Sequence, residues 1–398
     1  MQYRIDNKSG NKLSVLGFGC MRLPRGLNMK PDFEKSEKLI LSAIEKGVNY
    51  FDTAYLYAGS EEALGRVLSK NGVRDKVYVA TKLPYQKCRA YEDFDRLFNM
   101  QLSHLQTDYV DYYLIHNLSD KAQWDSLREM GVERWIEAKK QSGQIRRIGF
   151  SFHGAQNGFL ELLDAYEWDF CQIQYNYMNE NYQAGRTGLL AAAKKSLPVI
   201  VMEPLLGGKL ATGLPKKAEA FFREANAGRS PAEWALRWLW NQPEVTVVLS
   251  GMNAQEQLDG NLKAAESAEA GMTTPREAEA IGAVRKVFDE AYKIPCTGCN
   301  YCMPCPHGVN IPGCFASYNA SYVTGYISGL TLYLTSTGVN HPEKNYSARR
   351  CVACGQCEKR CPQHIEIIKG LKSVSKRMEP AWLRPVIKIV GRTAQKPE

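Results

Sequence analysis

A chain of 398 residues, 44% hydrophobic and 23% charged, exceeds one ordinary domain and is too apolar to stay unfolded, so one large and one small folded unit are expected. The formal net charge of +9 is a modest excess that suits anionic ligands or an acidic redox partner, and equally a solvated basic surface. The N-terminus, MQYRIDNKSGNKLSVLG, lacks the apolar run of a secretory leader, and no stretch reaches the roughly 18 apolar residues of a membrane span, so a cytoplasmic protein with neither membrane nor nucleic-acid partner is expected.

From residue 15 to residue 265, short apolar runs alternate with longer amphipathic stretches. The strand candidates are VLGFG (15–19), VNYFD (48–52), VYVAT (77–81), VDYYLIH (110–116), IRRIGFS (145–151), FCQIQYN (170–176), PVIVME (198–203) and VTVVLSG (245–251). Several are apolar throughout, as parallel strands covered on both faces should be. Helical patterns lie between them; in FEKSEKLILSAIEKG, residues Leu39, Ile40, Ala43 and Ile44 share one face and Gly47 supplies a stop. This rhythm predicts an α/β fold, a (β/α)8 barrel over residues 1–275. A doubly wound open sheet is the competing arrangement, but the first strand, GFGCMRLP, is not followed by the glycine-rich turn that such a sheet uses for dinucleotides.

After about residue 272 the pattern changes. TTPREAEAIGAVRKVFDEAYK reads as one helix, leading into a small, mainly helical domain over 276–372 and a basic, proline-containing tail over 373–398. The uncharged, aromatic stretch YNASYVTGYISGLTLYL (318–334) reads as a helix that is buried or forms an interface.

In a barrel of this kind the reactive groups sit at the C-terminal ends of the strands. Those ends carry Asp52, Lys82 and His116, and Tyr57 follows Asp52 on the next loop. A phenol has a reference pKa near 10 and needs help to give up its proton at neutral pH. A lysine ammonium supplies that help by charge, an aspartate holds the lysine, and a histidine orients a carbonyl. Such a set protonates a carbonyl oxygen while hydride arrives at carbon.

The pieces LGFGCMRLP, YFDTAYLYAGSEEALG, VATKL, DYYLIH, GFSFH, QIQYNYMN, EPLLGGKL and LSGMNAQEQLDGNL make residues 13–270 resemble the aldo/keto reductase family. The family's catalytic Asp, Tyr, Lys and His fall on Asp52, Tyr57, Lys82 and His116. The resemblance implies reduction of an aldehyde or ketone, a small carbonyl substrate, by NADPH or NADH. It also implies a cofactor-binding set. Gln174 and Ser151 take the nicotinamide carboxamide positions, and Gly19, Cys20, Met21 and Asp52 lie where the family approaches cofactor and substrate. Met202 stands on the seventh strand in place of the usual aromatic, and Leu205, Gly207 and Lys209 follow in LLGGKL. Gly251, Met252, Asn253, Gln257 and Asn261 occupy the stretch that holds the adenosine phosphates; Gly251 and Gln257 stand where many members carry Lys and Arg, which leaves both nucleotides open.

Cysteine usage is uneven. Of 12 cysteines, Cys20, Cys88 and Cys171 are scattered and read as buried thiols, while nine lie between Cys296 and Cys361. Without a secretory leader, such density indicates metal or iron–sulfur ligation rather than disulfides. The first run, CTGCNYCMPCP, contains Cys296, Cys299, Cys302 and Cys305; the second, CVACGQCEKRCP, contains Cys351, Cys354, Cys357 and Cys361. The second has the C-x2-C-x2-C-x3-C-P spacing of 4Fe–4S proteins, and the doubled pattern favours iron–sulfur over zinc. The pair resembles a two-cluster ferredoxin, in which the last cysteine of each run serves the other cluster. That resemblance implies one set of Cys296, Cys299, Cys302 and Cys361 and another of Cys351, Cys354, Cys357 and Cys305. The first run is one residue short before Cys305, so one cluster or two both stay open; Cys314 is spare. A ferredoxin- or flavodoxin-like electron carrier is the corresponding candidate partner, and an oligomer is compatible. The alternative reading is an iron–sulfur electron-transfer protein that uses its barrel as a binding scaffold.

Overall fold

The structure is a computed structural model that describes residues 1–26, 30–323, 325–338 and 345–383. It divides into two compact units: Met1–Leu205 with Ser230–Thr274, and Leu206–Arg229 with the chain from Pro275 onward.

The first unit opens with a hairpin, β1 (Tyr3–Ile5) and β2 (Lys12–Ser14), and continues with eight strands. These are β3 (Leu16–Gly19), β4 (Tyr50–Asp52), β5 (Tyr78–Leu83), β6 (Val110–Leu118), β7 (Ile145–Phe152), β8 (Phe170–Gln174), β9 (Val199–Met202) and β10 (Val245–Ser250). They pair in chain order, and β10 returns to β3, closing an eight-stranded parallel barrel with the expected strands in the expected places. Helix starts are set by short polar caps: Asp32 accepts from the Lys35 amide, Asp120 from Gln123, and Ser230 from Glu233 just ahead of Pro231.

Inside the barrel, Tyr50, Ala80, Tyr112, Leu114, Phe170, Ile200, Val247 and Leu249 fill the lumen, with Leu13 of the hairpin. The buried Tyr112 hydroxyl donates to Asp6 Oδ2 at 2.7 Å, so the hairpin loop satisfies this polar tip, whereas the Tyr50 hydroxyl in the same layer is buried without a partner. Outside the strands a second apolar shell, including Trp124, Trp135 and Trp240, seats the helices. A filled lumen leaves chemistry to one rim. The register aligns Gly19 with Asp52, Asp52 with Ala80, Lys82 with Leu114, and Gln174 with Met202, which brings the candidate residues to that rim.

In the second unit, the helix Lys216–Ala225 packs against the helix Pro275–Ala291, and Arg229 pairs with Glu277. Thus Leu206–Arg229, which lies within the residue span read as barrel, joins the cysteine-bearing unit. The helices Ile311–Val323, Tyr326–Thr337 and Ile367–Met378 surround a core that includes Ile294, Phe315, Tyr333, Leu371 and Val374. The stretch expected as one helix over 318–334 is two, because Gly325 adopts a φ of +106° that ends the hydrogen-bond ladder. The last helix continues past residue 373 because Ile367, Leu371, Val374 and Met378 form a buried stripe at helical spacing. Most of the basic tail, 384–398, lies outside the described residues. Among those described, no helix is long and apolar enough to cross a membrane.

Candidate active site and cysteine sites

Asp52 ends β4 and Lys82 lies on β5, both buried. The Lys82 ammonium donates to both carboxylate oxygens of Asp52 at 2.7 Å and to the Thr53 carbonyl at 2.8 Å; the Gln172 amide adds a longer bond to Asp52 at 3.4 Å. Burial pushes Asp52 up and Lys82 down, while their mutual attraction opposes both shifts. Three oxygen acceptors on one ammonium, with a bidentate carboxylate among them, are the arrangement that a buried ion pair requires.

Tyr57 stands on the loop between β4 and the helix Ser60–Lys70. Its amide donates to the Ala54 carbonyl, while Ser60 Oγ donates to the Cys20 carbonyl and shares a 2.7 Å bond with Thr53 Oγ1, which ties the loop base to β3. The Lys82 nitrogen lies 5.0 Å from the centre of the Tyr57 ring. The His116 and Tyr57 rings meet edge to face, with centroids 6.0 Å apart. Burial, followed by the charges of Lys82 and His153, pushes His116 well below the ordinary imidazole range, so it is neutral at pH 7. The four residues picked out from the strand ends are therefore one constellation.

Behind it lies a buried network that sequence reasoning missed. Glu61 Oε1 accepts from Thr81 Oγ1 at 2.6 Å and from the Gln101 amide at 2.7 Å; the same amide donates to the Lys82 carbonyl at 3.0 Å. Glu61 follows the Tyr57 loop in an ordinary-looking SEEALG, and only its burial marks it. Gln172 was legible: in CQIQ it alternates with Gln174, so both point to the same face of β8.

The proposed cofactor residues divide by what they already do. The Gln174 amide donates to Asn179 Oδ1 at 3.3 Å, whereas its carbonyl oxygen is buried without a partner, and the same holds for Asn117 Oδ1. Ser151 Oγ accepts from the Asn117 amide at 2.8 Å. Gly19 abuts Ser250 and Gly251, Cys20 and Met252 are fully buried, and Met21, Met202 and Leu205 are partly buried. The Cys20 thiol is pushed up by burial and by the charge of Asp52. At the eighth-strand end Gln257 Oε1 accepts from the Asn253 amide at 3.0 Å, and Asn261 donates to Ser250 Oγ at 3.0 Å, so both amides shape the loop. A cation absent from the expected set stands here: a Cβ added to Gly251 would lie 3.3 Å from Arg22 side-chain carbons. Gly207 and Lys209 belong to the second unit, where Lys209 donates to the Cys296 carbonyl and lies 5.1 Å from the centre of the Tyr292 ring. A side chain at Gly207 would collide with the Thr297 carbonyl.

In that unit Cys296, Cys299, Cys302 and Cys361 line one cavity with Ile311, Phe315 and Ile367. Burial and the charges of Cys296, Cys299 and Cys361 push Cys302 up to about 12. Among the described residues no three Cys, His, Asp or Glu side chains are gathered tightly enough for a single metal ion; these four thiols ring a space. Four cysteines on one cavity have the donor chemistry that an iron–sulfur core requires. Cys351 and Cys354 precede the short helix Gln356–Lys359, which carries Cys357, and Cys354 is exposed. Arg350 Nε donates to the His307 carbonyl at 2.9 Å, joining the residue before Cys351 to the turn just after Cys305. Cys314 is buried.

Both regions of the chain match known protein families. Residues 15–270 match the model of the aldo/keto reductase family, and residues 295–366 match that of a 4Fe-4S dicluster domain. An uncharacterized oxidoreductase of Bacillus subtilis, YrpG, is 26% identical over 309 residues, covering 67% of this chain and 91% of that protein. L-glyceraldehyde 3-phosphate reductase of Escherichia coli K12 is 24% identical over 310 residues, covering 66% and 87%. The solved aldo-keto reductase AKR11C1 of Bacillus halodurans, in its holo form, superposes with a TM-score of 0.58 at 26% identity, over 72% of this chain and 96% of that one. With a family match that spans well over half of its length, this chain belongs to the aldo/keto reductase family.

Proposed function

We propose that the barrel reduces a small aldehyde or ketone to an alcohol with NADPH or NADH, and that Tyr57 gives the proton. The observation that carries this reading is the Lys82–Asp52 pair set behind the Tyr57 ring, with neutral His116 at its edge. When bound, the nicotinamide supplies a hydride to the carbonyl carbon. His116, being neutral, offers an N–H to the carbonyl oxygen and orients it. Tyr57 transfers its hydroxyl proton to that oxygen, and the Lys82 ammonium stabilises the negative charge left on the phenol. Asp52 keeps Lys82 charged and in place. Gln174 Oε1 and Asn117 Oδ1, two buried acceptors without partners, suit the amide hydrogens of a nicotinamide carboxamide. Arg22, beside Gly251, gives the phosphates a cation.

The second unit, in this reading, holds two 4Fe–4S clusters. Cys296, Cys299, Cys302 and Cys361 hold one, and Cys351, Cys354, Cys357 and Cys305 the other. Such clusters pass single electrons, which makes a ferredoxin- or flavodoxin-like carrier the fitting partner, and cysteines used as cluster ligands rather than as disulfides suit the reducing cytoplasm. Oxidation of NADPH, and separately NADH, by the anaerobically purified chain across a panel of small aldehydes and ketones tests the reductase. Turnover that depends on the carbonyl supports it. Its absence in cluster-replete protein favours an electron-transfer protein that uses the barrel as a scaffold.

A further inference from the structure

We propose that the surface around Cys354 is the docking site of a small one-electron carrier protein with an acidic face. The proposal rests on the reading that Cys351, Cys354 and Cys357 hold an iron–sulfur cluster, and it adds where the partner binds and what charge it bears.

Two observations mark this surface. The first is exposure. The four cysteines of the other set are partly buried and line a cavity with apolar walls, whereas Cys354 is exposed and Val352 beside it is 59% exposed. An electron that must pass between two proteins crosses where a cluster ligand reaches the surface.

The second is charge, which is strongly segregated. Residues 294–323, which contain the first cysteine run, have no Asp, Glu, Lys or Arg. Residues 345–383, which contain the second, have eight Lys and Arg against three Glu. Each of the three carboxylates has a partner within this unit, Glu366 on the exposed surface and Glu379 in the core. Glu358 accepts from the Ile368 amide, Glu366 pairs with Lys369, and buried Glu379 accepts from the Tyr333 hydroxyl. The cations closest in sequence to the cluster loop turn outward instead. Arg349 and Arg350 directly precede Cys351, Lys359 and Arg360 follow Glu358 between Cys357 and Cys361, and all four are exposed. Among the described residues, none of these four forms an ion pair with a carboxylate.

Two basic pairs therefore bracket an exposed cysteine and an exposed valine. A small apolar contact inside a charged rim is the anatomy of a transient redox interface, in which charge steers the encounter and a small contact lets the partner leave. An acidic face on the partner is complementary. In the exchange, one electron leaves the reduced carrier and arrives at the oxidised cluster, so the carrier is oxidised by one electron and the cluster reduced by one. No proton or further reactant is needed, and the reverse transfer uses the same surface. A basic patch also suits an anionic membrane, but the cysteine at its centre favours a redox partner.

The test uses the full chain, prepared anaerobically with its clusters, and an acidic 2Fe–2S ferredoxin as probe. Binding is measured by calorimetry at low and high salt. Arg349→Glu, Lys359→Glu and Arg360→Glu are combined in one variant, and iron content and reduction by dithionite are followed in parallel. The expected result is wild-type binding that weakens steeply with salt, and binding about tenfold weaker in the variant, with iron content and dithionite reduction unchanged. Unchanged binding in the variant, or none by a wild-type chain whose clusters are reducible, overturns the docking proposal alone. Absence of any cluster signal from iron-loaded wild type overturns the cluster reading and the docking proposal with it. Vesicles of anionic lipid that bind the patch and displace the ferredoxin assign the surface to a membrane and also overturn it.

Discussion

Both carboxylate oxygens of Asp52 lie 2.7 Å from the ammonium of Lys82, and neither residue is more than 3% exposed. Removing one partner strands the other charge in a dry site, which typically costs about 3–5 kcal/mol. Lys82→Met should therefore lower the chemical denaturation midpoint of the barrel and depress carbonyl reduction together. Adding Asp52→Asn to it should restore part of the stability but none of the activity. If the double variant is as unstable as the two single effects summed, the pair is not coupled as the geometry requires.

Tyr57 carries the proton in the proposed reaction, whereas nucleotide binding depends on other residues. Tyr57→Phe should reduce turnover by about 10²- to 10⁴-fold, the range for loss of a general acid. The dissociation constant for NADPH, read by fluorescence titration, should stay within about twofold, well under the tenfold that about 1.4 kcal/mol would produce. Full turnover in this variant would remove Tyr57 from its role.

His116 makes an acid-side prediction. Its folded-state pKa is depressed by burial and by the charges of Lys82 and His153, so the unfolded chain takes up a proton first as pH falls. Its neutral burial is thus compatible with full stability above about pH 6.5, and stability is lost as pH drops below that unfolded value. Urea midpoints measured from pH 8 to pH 5 should fall less steeply for His116→Gln than for wild type. Parallel curves would mean that His116 is not the group responsible.

Gln174 presents a buried carbonyl oxygen without a partner, and Gln174→Leu keeps its bulk. With a hydrogen bond worth about 1 kcal/mol net, NADPH and NADH should both bind about five- to tenfold more weakly. The ratio of the two affinities should not move, because the nicotinamide end is common to both. A change confined to one nucleotide would place Gln174 elsewhere.

Cys361 belongs by sequence to the second cysteine run but shares its cavity with the first three cysteines of the other. Anaerobic wild-type protein should contain about eight irons and eight acid-labile sulfides per chain, as two 4Fe–4S clusters require. Cys361→Ser should perturb the cluster of the first run and leave that of Cys351, Cys354 and Cys357, reducing iron to about four. Wild-type iron near four in fully assembled protein would contradict the two-cluster reading.

The eight strands, the four rim residues and both cysteine runs are legible in the primary structure because each is a local pattern. Apolar periodicity reveals a strand within a few residues, a strand end locates the rim, and cysteine spacing is written in the covalent chain. The stripe of Ile367, Leu371, Val374 and Met378 was legible in the same way, although the basic residues between them hid it. Other features exist only once distant segments meet. Two polar partners of Glu61 lie 20 and 40 residues away, and the depressed imidazole of His116 depends on burial by the surrounding elements and on the charges of Lys82 and His153, distant in the chain. Leu206–Arg229 looks locally like any amphipathic stretch between a barrel strand and the next helix. Its membership of the cysteine-bearing unit is decided by the mutual burial of its helix and Pro275–Ala291, about 60 residues further along. Periodicity is a property of one segment, whereas burial is a sum over all of them, and that sum is known only when the chain has folded.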